Sequence, residues 1–197
     1  MGWAQFLKVH WEVLAATDLF TVEVATWAGL VTYYVLFVME LATRRVQIAG
    51  ITPHPTAAFM QQCARQLTDP FEGFLLGKRY LLHDRDTKYT PAFDGLLKDS
   101  GVEPVLLPPR SPNLNAHCER FVRSIKEEAL EQMVIVGEGS LSYAIHQYLS
   151  HYHTERNHQG LGNVRITPAP ANDGESGRVV RRERLGSLLS YYYRDAA

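Results

Sequence analysis

Three carboxylates stand where surface solvation is a poor explanation for an acidic residue. Asp18 lies inside the apolar run AATDLF at 15–20, which has the composition of a buried strand, and Asp is depleted in strands. Asp84 closes the short strand pattern YLLH at 80–83, and Glu119 lies in the first turns of a long helical pattern. A buried carboxylate without a partner is strongly unfavourable, so the three acids together indicate a functional site.

Carboxylates that a fold brings together repel one another and raise one another's pKa. Divalent hard cations remove that conflict, and Mg²⁺ typically takes one or two carboxylates together with phosphate oxygens and water. Two such ions roughly 3.5–4 Å apart activate the attacking oxygen and stabilise the leaving oxygen in phosphodiester displacement. With two cysteines at no metal-ligand spacing, the sequence favours an all-oxygen site over a zinc site.

The hydrophobic periodicity predicts the elements that would position these acids. Three strands follow one another with short connections and should form an antiparallel meander. Two further strands joined through a helix should be parallel to each other, which gives an α/β fold with a mixed sheet. The predicted elements are strands at 13–24, 30–39 and around 45–48, a helix through Phe59, Cys63 and Leu67, a strand at 80–82, a helix from Thr90-Pro91 to Gly101, a strand at 102–107, a helix from about Asn115 to Met133, and a last helix capped by Ser140.

The composition changes near the end of the chain. Beyond Gly162 the sequence turns to Pro, Gly, Ser and Asn, and then to four arginines at 178–184 and three tyrosines at 191–193. We therefore predict a catalytic core at 1–162, followed at 163–197 by a linker and a basic, Tyr-rich C-terminal tail. A disordered or strand-like surface tail is favoured there over a DNA-binding or subunit-binding role.

Three segments carry motifs of one known family. HDRDTKY at 83–89 is similar to that family's His-Ser-Asp-Arg-Gly-Ser-Gln-Tyr segment, and SPNLNAHCERF at 111–121 resembles its Ser-Pro…Asn-Ala…Glu-Arg-Phe segment. YHTERNHQGLG at 152–162 is similar to its closing Tyr-Asn-x-x-Arg-x-His-x-x-Leu-Gly segment. Asp18, Asp84 and Glu119 look like its DDE triad, with 34 residues between the second Asp and the Glu. Over about 12–162 the chain resembles the integrase core of bacterial insertion-sequence transposases, in the retroviral-integrase superfamily.

The resemblance implies a ribonuclease H-like fold, with a five-stranded mixed sheet of three antiparallel and then two parallel strands, flanked by helices. It implies a DDE transposase or integrase core that nicks DNA and transfers strands during DNA integration, with transposon ends and target DNA as partners. Asp18, Asp84 and Glu119 would be the catalytic and metal-binding residues for two Mg²⁺ ions, and Mn²⁺ is expected to substitute. A homo-oligomer is also expected.

Three basic residues are candidates for DNA contact. Arg123 and Lys126 follow Glu119 at i+4 and i+7 and share its helix face, where they could meet DNA phosphates. An ordinary solvated face, with Arg123 pairing Glu119 or Glu127, is the alternative. Arg110, among the prolines of the 108–112 segment, would lie on a loop next to the site, or within a rigid spacer.

Two departures from the family pattern bear on activity. Asp86 stands where the family has Gly, which brings a second acid close to Asp84, although its spacing to Glu119 fits the family less well. Only 17 residues precede Asp18, whereas such transposases carry an N-terminal helix-turn-helix region before the core. A truncated copy is therefore expected, and the alternative function is a catalytically silent fragment that acts as an oligomerisation or regulatory module.

The overall charge gives no independent support for a nucleic-acid partner. The 197 residues carry 20 Lys and Arg against 21 Asp and Glu, a formal net charge of −1, so DNA contact has to come from local sites. No apolar run approaches the roughly 20 residues that span a bilayer, and the N-terminus lacks a signal-peptide pattern. We therefore expect a cytoplasmic protein with no membrane contact. A nuclease acting on RNA–DNA hybrids or junctions would share the fold, but the motifs argue against it.

Overall fold

One mixed sheet organises the first part of the chain, and the computed structural model describes residues 2–108, 115–167 and 177–195. Its strands are β1 (Leu14–Thr26), β2 (Gly29–Glu40), β3 (Val46–Thr52), β4 (Tyr80–His83) and β5 (Glu103–Leu106), in the spatial order β3-β2-β1-β4-β5. β2 and β3 are antiparallel, whereas β4 pairs in parallel with both β1 and β5. A two-residue turn joins β1 to β2, which requires an antiparallel pair. The predicted arrangement of three antiparallel strands and then two parallel ones is confirmed.

Five helices accompany the sheet in the described residues, together with short 3₁₀ segments. They are α1 (Trp3–His10), α2 (Ala57–Leu67), α3 (Pro91–Asp99), α4 (Ala116–Glu128) and α5 (Gly137–Thr154). The chain divides into two compact units, which we call unit 1 (1–23 and 31–120) and unit 2 (24–30 and 121–197). None of the helices described is long and apolar enough to cross a membrane.

The core of unit 1 lies between the sheet and the pair α2 and α3. Both helices begin at a threonine cap, Thr56 and Thr90, whose hydroxyl accepts a hydrogen bond from the main chain three residues later. Gly50 of β3 lets α2 approach closely, because a Cβ there would lie 2.6 Å from the Phe59 ring and 2.9 Å from Cys63 Sγ. Pro104 is tolerated in β5 because that strand is at the edge of the sheet.

Several predicted helix boundaries were wrong, and α1 was not predicted at all. The long helix ends at Glu128 rather than Met133, and a 3₁₀ turn (Leu130–Gln132) follows it. The last helix begins at Gly137, so Ser140 lies inside its first turn and is not its cap. In α1, Phe6 and His10 pack against Tyr80, with ring centroids 5.1 and 4.9 Å apart. These aromatic contacts are tertiary, and a short helix without buried residues gives a weak periodic signal.

Unit 2 contains a C-terminal hairpin that packs on α5. Its strands are β6 (Val179–Arg184) and β7 (Leu189–Arg194), which pair antiparallel. The strand-like form of the tail is therefore observed over 179–194, while 168–176 and 196–197 lie outside the described residues. Elsewhere in unit 2, Phe121 of α4 packs against Tyr152 of α5, with ring centroids 5.1 Å apart.

A buried carboxylate joins the hairpin to α5. Glu155, at the C-terminal end of α5, is 5% exposed, and its oxygens accept hydrogen bonds of 2.7–3.1 Å from the Arg184 guanidinium of β6. His151 Nδ1 lies 2.9 Å from the same carboxylate, and Arg182 lies at 3.5 Å. Burial raises the pKa of Glu155, but the hydrogen bonds from Arg184 and His151 outweigh that effect and leave the pKa below its usual value.

We expect Glu155→Gln to lower the free energy of unfolding by about 3 kcal/mol or more, because it leaves the buried side of Arg184 without its counter-charge. Since the folded-state pKa of Glu155 is depressed, the stabilisation is complete above the unfolded pKa and is lost as the pH falls through the lower folded value. Thermal unfolding, with limited proteolysis of the 185–188 turn, measures both effects.

Glu183→Gln is the matched control, since Glu183 pairs with Arg181 at the surface and such a pair contributes at most about 1 kcal/mol. Equal losses in the two variants would contradict a specific role for Glu155 in holding the hairpin.

Candidate active site

The pairing of β1 with β4 brings two of the three predicted acids side by side. The parallel register matches Leu14 with Tyr80 and Ala16 with Leu82, and its continuation by two residues sets Asp18 opposite Asp84. Asp84 directly follows the end of β4, at the carboxyl edge of the parallel strands where α/β sheets commonly bind ligands. His83 is buried and its Nδ1–H donates to the Asp84 carbonyl at 2.8 Å, which fixes the backbone at that point.

The first turn of α4 brings the third acid to the same region. Cys118 is fully buried, and the His117 ring packs edge-on against Trp11 at 5.8 Å, so the turn is anchored on both sides of the helix. Burial, with the nearby charges of Arg44 and Arg120, lowers the pKa of His117 to about 4, which leaves the ring neutral at physiological pH. Glu119, two residues after His117 on α4, is exposed.

The pKa of Asp18 is strongly perturbed. Burial, followed by the negative charges of Asp84, Glu119 and Asp86, raises that pKa to about 6. The Leu19 main-chain N–H opposes the shift by donating to Asp18 Oδ1 at 2.8 Å. The structure thus brings the three predicted acids into one electrostatic field, in which the ionised form of Asp18 is disfavoured.

Asp86 differs from Asp18 because a cationic side chain lies beside its carboxylate. The Lys88 ammonium lies 2.9 and 3.1 Å from the two Asp86 oxygens, and the Lys88 main-chain N–H donates to the same carboxylate. Burial raises the pKa of Asp86, but these contacts outweigh it and hold the pKa below its usual value. Asp84 Oδ1 accepts a hydrogen bond of 3.0 Å from the Asp86 main chain, which closes the turn between the two acids.

Two polar groups around Asp18 were missed by the sequence analysis. Asn115 is 9% exposed, and its Nδ2 donates to Asp18 Oδ2 over 3.5 Å, while its Oδ1 has no hydrogen-bond partner among the described residues. The Tyr89 hydroxyl is also buried, beside the Thr17 side chain and in the field of Asp18 and Asp84. Asn115 and Tyr89 lie within the quoted motif segments, but neither carries the charge that drew attention to the acids.

The side chains around Asp18 are of the type that binds a hard divalent cation, but they are not arranged as its coordination site. The region offers oxygen donors near Asp18, among them Asn115 Oδ1, which has no hydrogen-bond partner in the described residues, and Mg²⁺ prefers oxygen ligands. However, no group of three or more His, Cys, Asp or Glu side chains in the described ranges is arranged to hold a metal ion. The donor set therefore fits such an ion, whereas the side chains are not assembled around a coordination site.

Of the three basic residues predicted to contact DNA, two can be placed. Arg123 is exposed and Lys126 half-buried on α4, and Arg123 makes no ion pair with any residue in the described ranges. Arg110 lies outside the described residues.

Comparisons with known proteins bear on the fold and on the C-terminal half of the core. Residues 100–168 match the family model described as "Integrase core domain". The structure is similar to the catalytic core domain of BIV integrase, with 20% identity and a TM-score of 0.53 over 79% of this chain and 91% of that chain. It is also similar to the HTLV-2 integrase catalytic core domain, solved in complex with magnesium in a dimeric form, with 13% identity and a TM-score of 0.54 over 72% of this chain and 86% of that chain.

The chain therefore has the ribonuclease H-like fold of integrase catalytic cores, as its motifs predicted, and the family match lies within residues 100–168. No curated protein matches the sequence.

We expect Asp18→Asn to stabilise the metal-free protein at neutral pH. The folded-state pKa of Asp18 is raised, so the folded protein binds the proton more tightly than the unfolded chain, and stability falls as the pH rises from about 4 to about 6. A shift of this size corresponds to about 3 kcal/mol at most above that window. Thermal unfolding in a chelating buffer should show a Tm for the variant several degrees higher at about pH 7.5, and equal to the parent at about pH 4.

Glu72→Gln removes the same charge from an exposed position of unit 1 and should leave the pH dependence of Tm unchanged. If Asp18→Asn behaves like this control, the charge of Asp18 is not under strain in the folded protein.

Proposed function

We propose that this chain is the catalytic core of a DDE transposase or integrase with a divalent-metal-dependent reaction. Water cleaves a DNA phosphodiester to free a 3′-hydroxyl, which then attacks a phosphodiester of the target strand and displaces its 3′-oxygen, so that the DNA end is joined to the target. The single observation that carries the proposal is the shared electrostatic field of Asp18, Asp84 and Glu119, at the carboxyl end of β4 where it lies beside β1. Burial and the neighbouring acids disfavour the ionised form of Asp18, and a bound cation would relieve that penalty.

The three acids would divide the work of holding two Mg²⁺ ions, with Asp18 and Asp84 as the central ligands and Glu119 completing the second site. When bound, such ions supply activation of the attacking oxygen and stabilisation of the leaving oxygen in an in-line phosphodiester displacement. The magnesium complex of the similar HTLV-2 core and the carboxylate and amide oxygens near Asp18 support this choice of metal. Mn²⁺, which also accepts oxygen ligands, is expected to replace Mg²⁺.

The side chains of the protein would contribute orientation and charge. The Leu19 main chain and Asn115 hold opposite oxygens of the Asp18 carboxylate, so its orientation does not depend on a bound ion. Arg123 and Lys126, on the helix that carries Glu119, would contact DNA phosphates and set the register of the duplex.

The direct test is strand transfer on short duplexes taken from the DNA that flanks the reading frame, with a supercoiled plasmid as target. We expect products only with Mg²⁺ or Mn²⁺, and a loss of about a hundredfold or more in Asp84→Asn, because a ligand to the metals is removed. Gel analysis of nicked and joined products measures both steps separately.

Asp99→Asn is the matched control, since Asp99 is an exposed acid at the end of α3 in the same unit. Full activity of Asp84→Asn, or equal loss in the two variants, would remove the assignment of Asp84 to the site.

The proposed DNA contacts have a separate signature. We expect the double variant Arg123→Ala with Lys126→Ala to weaken duplex binding equally for all sequences, and to reduce the dependence of log K on log[salt] by about 0.9 for each phosphate that is no longer neutralised. Fluorescence anisotropy across a salt series measures this slope. Arg65→Ala, an exposed cation on α2, should leave both affinity and slope unchanged, and an unchanged slope in the double variant would place the DNA elsewhere.

Two observations favour the alternative function, a catalytically silent module that associates with an intact transposase. The acids are not assembled around a metal position within the described residues, and the net charge is −1. Absence of any DNA binding at low salt, together with self-association and no activity with either metal, would support this alternative over catalysis.

A further inference from the structure

The tip of the β1–β2 hairpin carries an apolar surface that nothing in the described part of unit 2 covers. Thr26 Oγ1 donates to the Gly29 carbonyl across a two-residue turn, so Ala25 faces Leu30 on the neighbouring strand. On its other side Ala25 pairs in parallel with Val136, and its N–H donates to the Ile135 carbonyl at 2.9 Å. The end of β1, the start of β2 and the segment around Val136 therefore lie side by side and share one outward face.

We call this surface the tip face and define it by Trp27, Leu30, Val134 and Val136. Their relative exposures are 108%, 74%, 82% and 64%, while Ile135, which points the opposite way, is 3% exposed. Single exposed apolar residues are ordinary, but a contiguous group containing a fully exposed Trp marks an interaction site.

The charges around the tip face exclude a nucleic-acid backbone as its partner. The segments 24–30 and 130–140 that build it contain no Lys, Arg or His, and they carry the exposed acids Glu131 and Glu138. Phosphate binding needs cations, so the partner has to be apolar with a positive rim.

The outward side of the C-terminal hairpin has that complementary character. The β6–β7 register pairs Val179 with Arg194 and Arg181 with Tyr192, and paired residues share one face. The opposite face carries Arg184, which bonds to Glu155 of α5, so the first face points away from α5. We call this surface, Val179, Arg181, Tyr192 and Arg194, the hairpin face.

The hairpin face combines solvent-exposed apolar side chains with solvent-exposed positive side chains. Val179 and Tyr192 are 55% and 61% exposed, and both arginines are exposed. Arg181 is paired with Glu183 at 2.8 Å, which leaves the Arg194 guanidinium as the net positive charge of this surface.

We propose that the tip face of one chain binds the hairpin face of a second copy, in a head-to-tail contact. The apolar side chains of the two faces pack against one another, and the acids around the tip face pair with the arginines of the hairpin face. Because two different surfaces are joined, each added copy leaves one tip face and one hairpin face unused, so the contact builds a ring or an open chain of subunits rather than a closed symmetric dimer.

A mixing experiment with the full chain separates this contact from any other self-association. One variant, Trp27→Ser with Val136→Ser, removes the tip face; the other, Tyr192→Ser with Arg194→Glu, removes the hairpin face. All four residues are exposed, and circular dichroism with thermal unfolding checks that both variants fold. Sedimentation velocity across a concentration series, with one variant labelled by a fluorophore, measures association.

The parent protein should associate with increasing concentration, and more weakly as the salt is raised. Each variant alone should associate about tenfold or more weakly than the parent, whereas the mixture should form a complex of one copy of each, through the one intact pair of faces. Val9→Ser, at an exposed apolar position of α1, is the control and should associate like the parent.

Variants that associate like the parent would overturn the proposal, and so would a mixture that associates no better than its components. Recovery of association by DNA in the tip-face variant alone would likewise assign the hairpin face to nucleic acid and contradict it. None of these readouts uses the proposed strand-transfer activity, so the two proposals stand or fall separately.

Discussion

The charge of Asp18 is held in a half-buried position where three other acids lie close enough to oppose it. Unit 1 orients the Asp18 carboxylate with hydrogen bonds and does not neutralise it with a cationic side chain. Leu19 and Asn115 donate to its two oxygens, but no lysine or arginine forms a salt bridge with it among the described residues. A cation bound from solution would stabilise the ionised carboxylate, and this is the basis of the proposed metal site.

The contrast with two other acids supports this interpretation. Asp86 and Glu155 are also partly or fully buried, yet each has cationic partners within hydrogen-bonding distance and a lowered pKa. The chain therefore pairs acids whose role is structural and leaves Asp18 without a cationic partner in the part that the structure describes. Glu155 in particular uses its charge to attach the C-terminal hairpin, which makes that hairpin a built part of unit 2.

The same comparison separates the proposed catalytic surface from the proposed assembly surface. In the proposed function, the acids near Asp18 and the basic side chains of α4 act on phosphates, where charge dominates. The tip face and the hairpin face are apolar with opposite rims, which is the composition of a protein–protein contact. Both characters occur in one chain of near-zero net charge because the charges are segregated locally.

Much of this protein follows from its sequence alone. The alternation and length of the apolar runs determine the five strands and the pattern of α2 and α3, since period and caps are local properties. The position of an acid inside a strand identifies Asp18 without any neighbour being known. What only the tertiary structure decided are the contacts between distant segments: Asn115 beside Asp18, α1 packed on Tyr80, and Arg184 reaching Glu155. Such contacts leave no periodic trace, because the free energy that forms them comes from burial and charge pairing across the fold and not from the residues next to them in the chain.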